Sequence, residues 1–203
     1  MTMEIQQDKI IAAGDRAVLR DREPDDLETQ LRWFSRGEWL QFDAPWEHID
    51  FPQTAEEREK FKTNFLIHCD KGKVTPRKSA IIASKEGLSL GWVNRYADER
   101  FPAVWSIGID ICEDAYLNKG IGTEALRLWI RHLFKNSDIH KIALATWSMN
   151  PRMQHVAEKI GFVREGAERE MIKWKGAWHN RIHYGCLRSE WEKMTEPDGS
   201  VTS

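Results

Sequence analysis

Residues 105–111, Trp-Ser-Ile-Gly-Ile-Asp-Ile, alternate strictly between large apolar and small or polar side chains. A period of two belongs to a half-buried strand, and Gly108 inside it is placed for a bulge. The period changes at residue 121, where Leu126, Trp129, Ile130, Leu133 and Phe134 fall on one face of a helix over 121–134. Residues 141–147 read as a further strand. A helix over 151–160 opens at Asn150, with Pro151 in its first turn, and Gly161-Phe162 stops it. Upstream, a short strand at 17–19 precedes the helix start Pro24-Asp25-Asp26, with Leu27, Leu31 and Phe34 on one face. Thr54 and Glu57 form a capping box for a second helix carrying Phe61 and Phe65. Residues 79–84 and 88–96 make a hairpin around Ser84-Lys85-Glu86-Gly87, and 163–187 reads as two strands turning near Lys175-Gly176. The order β-α-α-β-β-β-α-β-α-β-β is a mixed α/β pattern.

Composition narrows what such a chain does. Its 203 residues suit one domain over 1–194, with 195–203 reading as a disordered tail. Thirty Lys and Arg against 32 Asp and Glu leave a formal charge of −2, without the basic surplus of a nucleic-acid binder. No apolar run approaches the roughly 20 residues that span a bilayer, and the first residues lack a basic-then-apolar secretory pattern. Cys69, Cys112 and Cys186 form neither a metal cluster nor an even disulfide set, and His179 and His183 lack a ligand partner at metal spacing. A cytoplasmic protein with no metal, no nucleic acid and no membrane among its partners is expected. Ten tryptophans stand out. Trp92, Trp105, Trp129 and Trp147 fall on expected core elements, Trp191 closes the expected last strand, and Trp33, Trp39 and Trp46 gather in an aromatic, acidic stretch.

The segment Asn118-Lys119-Gly120-Ile121-Gly122-Thr123-Glu124-Ala125 leads from a strand and loop into the amphipathic helix. Its glycines let backbone approach an anion, and the N–H groups of a helix's first turn point toward one. The same string spells a G-x-G-x-x-A dinucleotide fingerprint, but that motif follows directly on a strand. Here residues 112–119 intervene and a hairpin precedes.

Strand 105–111, the loop into Gly120-Ile121-Gly122-Thr123-Glu124-Ala125-Leu126, and Asn150 with Glu158-Lys159-Ile160-Gly161-Phe162 together resemble the GNAT superfamily of acyl-CoA N-acetyltransferases. The ending Trp174-Lys175-Gly176-Ala177-Trp178-His179-Asn180 is similar to the branch acting on ribosomal-protein N-termini, diamines and aminoglycosides. The resemblance spans about residues 15–192. It implies a GNAT fold, with a twisted, mostly antiparallel central sheet of about seven strands flanked by about four helices. It also implies acetyl-CoA as acyl donor. The pyrophosphate would lie on backbone of Asn118, Lys119, Gly120, Ile121, Gly122 and Thr123, and the pantetheine arm beside Ile109 and Ile111 with Asn150 nearby. Position 117, usually Arg or Gln in the family, is Leu here, and Lys119 is the candidate replacement cation, against an ordinary solvated loop lysine.

Acetyl transfer to an amine needs a base for the ammonium proton and polarisation of the thioester carbonyl. The family's frequent Glu two residues before Gly108 is Ser106, and its usual Tyr seven beyond Asn150 is Ala157. Asp110 is the candidate base, as in similar Gly-Ile-Asp runs of the family, and Glu47 and Asp43 are second candidates. Trp39, Asp43 and Trp46 are candidate acceptor contacts, because aromatic faces beside carboxylates suit a cationic amine. The expected activity is direct transfer of an acetyl group to a primary amine, whether a protein N-terminus, a polyamine or a small amine, by a monomer or homodimer. The alternative is a module that binds acyl-CoA without turning it over.

Overall fold

In a computed structural model of the chain, residues 5–43, 45–46, 52, 54–71 and 74–195 are described, with Asp70 and Lys71 as backbone only. They fall into two compact units. The first comprises the chain up to Arg95 together with Gly108–Ser137, and the second Tyr96–Ile107 with the chain from Asp138 onward. Two strands, β4 (Ser89–Ala97) and β5 (Val104–Ile111), pass from one unit into the other.

In the first unit the strand order is β1-β2-β3-β4-β5, with β1 (Ile10–Ala13), β2 (Val18–Arg20) and β3 (Ser79–Ala83) running antiparallel to their neighbours. Register puts Arg20 beside Ile81 and Ile81 beside Trp92, so these three side chains share a face. Helix α1 (Leu27–Ser35) and the 3-10 turn Glu38–Gln41 deliver Trp33 and Trp39 into a buried cluster with Ile81, Trp92 and Cys112. The Trp39 and Trp92 rings meet edge to face at 5.1 Å, an arrangement that adds to simple burial. Helix α2 (Ala55–Lys71) opens with the expected capping box, Thr54 and Glu57 exchanging hydrogen bonds of 2.9 and 3.1 Å. Helix α3 (Ile121–Lys135) packs against β1 and β2 and buries Leu126, Trp129, Ile130, Leu133 and Phe134, the stripe its sequence period marks.

In the second unit the order is β5-β6-β8-β7. Strand β6 (Lys141–Trp147) is parallel to β5 and antiparallel to β8 (Ala177–Leu187), which pairs with β7 (Val163–Trp174). Helix α4 (Pro151–Lys159) buries Ala157, and Asn150 caps it by accepting the Met153 N–H at 3.1 Å. Helix α5 (Arg188–Thr195) buries Trp191.

Among the described residues there are therefore eight strands in the sheet and five α-helices, one more of each than the sequence pattern shows. Strand β1 is four residues long and α5 is polar apart from Trp191 and Met194, so neither carries a readable period. Trp191 lies within a helix rather than at the end of a strand. Thr195, expected in the tail, ends that helix with its hydroxyl donating to the Trp191 carbonyl at 2.8 Å. Residues 196–203 lie outside the described residues.

One buried ion pair ties α1 to the sheet. The Arg20 guanidinium clasps both carboxylate oxygens of Asp26 at 2.7 and 2.5 Å, and Ser89 donates to the same carboxylate at 3.0 Å. Burial alone would raise the Asp26 pKa, yet Arg20 holds it below the usual carboxylate range. Asp26→Ala strands a buried guanidinium, so chemical denaturation should show a loss of about 3–5 kcal/mol.

Candidate active site

Beyond β5 the chain is laid against β4 by the Cys112 N–H, which donates to the Leu90 carbonyl at 2.8 Å. It then makes a 3-10 turn over Asp114–Tyr116. Asn118 and Gly120 adopt positive φ of 59° and 78°. Left-handed residues placed this way turn successive N–H groups inward into a concave nest that suits an anion. No side chain caps α3. Its first helical hydrogen bond runs from the Glu124 N–H to the Gly120 carbonyl at 3.1 Å. The N–H groups of Ile121, Gly122 and Thr123 consequently have no acceptor within the helix, at the positive end of its dipole. A Cβ on Gly122 would stand 3.6 Å from Ile111 and 3.8 Å from Ile109. A methyl would fit there, and a longer side chain would fill the strip along the strand. The candidate donor residues Ile109, Ile111, Gly120, Ile121, Gly122 and Thr123 thus come together. The Lys119 ammonium lies over the Tyr116 ring at 5.1 Å.

Asp110 projects from the opposite face of β5, toward the tryptophan cluster. Its carboxylate is half-buried and accepts a hydrogen bond from the Trp92 indole N–H. Burial, then the negative charge of Asp43, raises its pKa well above the ordinary carboxylate value, and the indole N–H opposes that shift. Trp92 reaches it because β4 and β5 approach closely at Gly91. A Cβ there would lie 1.9 Å from the Asp110 carbonyl oxygen. The neighbouring Cys112 thiol is pushed far up by burial and by Asp110, Glu113, Asp43 and Asp114. It is held as a thiol, unlike a reactive cysteine.

The aromatic segment is pinned beside this strand. Glu113 accepts hydrogen bonds from Arg32 and, at 2.8 Å, from the Trp33 indole, and Asp114 accepts the Glu38 N–H at 2.8 Å. Of the acceptor candidates, Asp43 is exposed and electrostatically coupled to Asp110, Trp46 is half-buried, and Trp39 is only 5% exposed. Trp39 therefore acts here as packing beneath the site. Glu47 lies outside the described residues. Asn150, in the second unit, spends its side-chain oxygen as a helix cap. Sequence reasoning assigned Trp92 to packing alone, because nothing in an alternating strand announces that an indole N–H meets a carboxylate on the next strand. It also passed over Arg16 and Glu124, whose contacts join segments more than a hundred residues apart.

The left-handed residues Asn118 and Gly120 thus open an uncapped helix beside a strand whose other face carries a half-buried carboxyl. Residues 16–163 match the acetyltransferase (GNAT) domain, and the chain belongs to that family. It is 32% identical over 104 residues to YdaF of Bacillus subtilis (strain 168), a ribosomal N-acetyltransferase by name, covering 51% of this chain and 52% of that protein. The chain spans about half the length of the curated relatives it first matches. Among solved structures it is similar to the ribosomal-protein-S5-alanine acetyltransferase of Vibrio fischeri, at 25% identity and a TM-score of 0.69, covering 89% and 97% of the two chains. RimL, a ribosomal alpha-N-protein acetyltransferase solved in complex with coenzyme A, shares the fold at 19% identity and a TM-score of 0.67, covering 88% and 97%.

The Trp92 indole resonance reports the Asp110 carboxyl directly. In an NMR titration it should move with a midpoint above the ordinary carboxylate range. Asp43→Asn removes a like charge and should bring that midpoint down; a midpoint unmoved by the substitution would uncouple the two acids.

Proposed function

We propose that this protein is an acetyl-CoA-dependent N-acetyltransferase that moves an acetyl group to a primary amine by direct transfer. The observation that carries this reading is the pairing on β5: a carboxyl with a raised pKa on one face and the anion nest with its open strip on the other. Acetyl-CoA, when bound, supplies the activated acetyl thioester. Backbone N–H groups from Asn118 to Thr123 would hold its pyrophosphate at the helix N-terminus. The main chain of Ile109–Ile111, left uncrowded by Gly122, would hold the pantetheine arm.

A protonated amine cannot attack a carbonyl, so its proton must first go to a base. Asp110 fits that task better than an exposed carboxylate, because a raised pKa makes its ionised form a stronger base. The low polarity that raises the pKa comes from the tryptophans around it. Exposed Asp43 adds negative charge that draws a cationic amine toward the same place. Position 157 is alanine, so the side-chain acid common there in the family is missing for the leaving thiolate, and solvent would protonate it.

Among amines, a protein N-terminus is the favoured acceptor class. YdaF, the Vibrio fischeri protein and RimL are all named for ribosomal acetylation. Thiol release with acetyl-CoA and a panel of peptide N-termini, polyamines and aminoglycosides tests this. Tight coenzyme A binding without turnover on any amine would favour the silent module instead.

Two variants check the roles. Asp110→Asn should lower kcat by roughly 100-fold or more while leaving acetyl-CoA affinity intact; a near-wild-type rate between about pH 6 and 9 would remove Asp110 from the chemistry. Gly122→Arg drives a long side chain into the strip beside Ile109 and Ile111 and should abolish acetyl-CoA binding in calorimetry. Unchanged affinity would overturn the assignment of the nest.

A further inference from the structure

We propose that Arg16, carried on the β1–β2 turn, is the side-chain anchor for the pyrophosphate of the acyl carrier, in place of a donor at position 117. This assignment rests on the acetyl-CoA reading above and names the residue that completes that site.

The turn is clamped to the first turn of α3 by Glu124. One carboxylate oxygen accepts the Asp15 N–H at 3.0 Å, and the other accepts the N–H groups of Arg16 and Ala17, each at 2.7 Å. Gly14 makes room for this, since a Cβ there would sit 2.6 Å from the Glu124 carboxyl carbon. Three charge-assisted bonds to consecutive backbone groups fix the point from which the Arg16 side chain leaves. That side chain runs over the start of α3. A Cβ built on Gly120 would lie 2.7 Å from Arg16 Nη1 and 3.7 Å from Cζ, so the guanidinium stands on the residue that opens the nest.

Among the described residues the guanidinium has no hydrogen-bond or ion-pair partner. Its position is unfavourable by itself, because a cation at a helix N-terminus meets the positive end of the dipole. Glu124, the nearby carboxylate, is committed to backbone N–H groups. An anion between the guanidinium and the N–H groups of Ile121, Gly122 and Thr123 reverses that balance, since both then attract it. The planar fork of arginine is suited to phosphate oxygens. The two motif positions that could compete do not: Leu117 has no donor, and the Lys119 ammonium rests on the Tyr116 ring. The guanidinium stands on Gly120, the residue that opens the helix, and is therefore assigned to the pyrophosphate rather than to the separate 3′-phosphate of coenzyme A.

The test is calorimetric binding of coenzyme A and of dephospho-coenzyme A, which lacks the 3′-phosphate, to the full-length wild type, Arg16→Ala and Arg16→Lys. Arg16→Ala should weaken both ligands by about tenfold or more, and Arg16→Lys should fall between. The thermal midpoint should stay unchanged, because Glu124 holds backbone N–H groups that alanine retains. Wild-type affinity in Arg16→Ala would overturn the assignment. So would a loss seen with coenzyme A but absent with dephospho-coenzyme A, which would put Arg16 on the 3′-phosphate. A wild type that binds neither ligand would overturn the acetyl-CoA reading itself, and this assignment with it.

Discussion

The close approach of β4 to β5 at Gly91 is the constraint on which the site depends. Any side chain at that position would collide with the Asp110 carbonyl 1.9 Å from its Cβ. Without one, the strands come near enough for the next residue, Trp92, to set its indole N–H on the Asp110 carboxylate. The same ring is the hub against which Trp33, Phe34 and Trp39 pack. A single absent methyl therefore joins the apolar cluster of the first unit to an acid whose pKa its burial raises. Packing sets the polarity around Asp110, and polarity sets its affinity for a proton.

Strand β5 keeps two opposed environments apart by its pleat. On one face Ile109 and Ile111 line an apolar strip that ends at a helix N-terminus, where positive potential and bare N–H groups favour phosphate. On the other, Asp110 and Asp43 concentrate negative potential, which favours an ammonium group and would repel phosphate. A strand inverts its side chains every residue, so the two environments sit a few ångströms apart through the backbone without mixing. Carboxylates then fix each side. Glu113 and Asp114 pin the aromatic segment to the acidic face, and Glu124 pins the β1–β2 turn to the first turn of α3.

Much of this was legible in order along the chain. Strong periods announced β5, β6, α3 and α4, because each buries a contiguous stripe or an alternating face, and local chemistry announced the ends. Thr54 with Glu57, Asn150 and Gly161 all act where residue type alone places them. Gly120 was equally legible as the opening of α3, where it takes a left-handed φ of 78°. Short or polar elements escaped. Strand β1 and helix α5 owe their form to partners, not to their own four or eight residues. The tryptophans were counted correctly and sorted incompletely. Trp33 and Trp39 are core, and Trp92 both packs and donates a hydrogen bond.

The sequence by itself determined the elements, their order, the family and the acid on β5, all of which follow from side-chain chemistry within a dozen or so neighbouring residues. Only the tertiary structure decided that the pKa of that acid is raised and which cation stands over Gly120 at the start of α3. Trp92, Asp43 and Asp110 come from three separate segments, and so do the Arg16 turn and the α3 N-terminus that Glu124 joins. Desolvation and charge coupling depend on distance in space, which a linear pattern does not carry. That is why a leucine at the motif's first position reads as a missing anchor along the chain, and why the folded chain offers Arg16 from its other end.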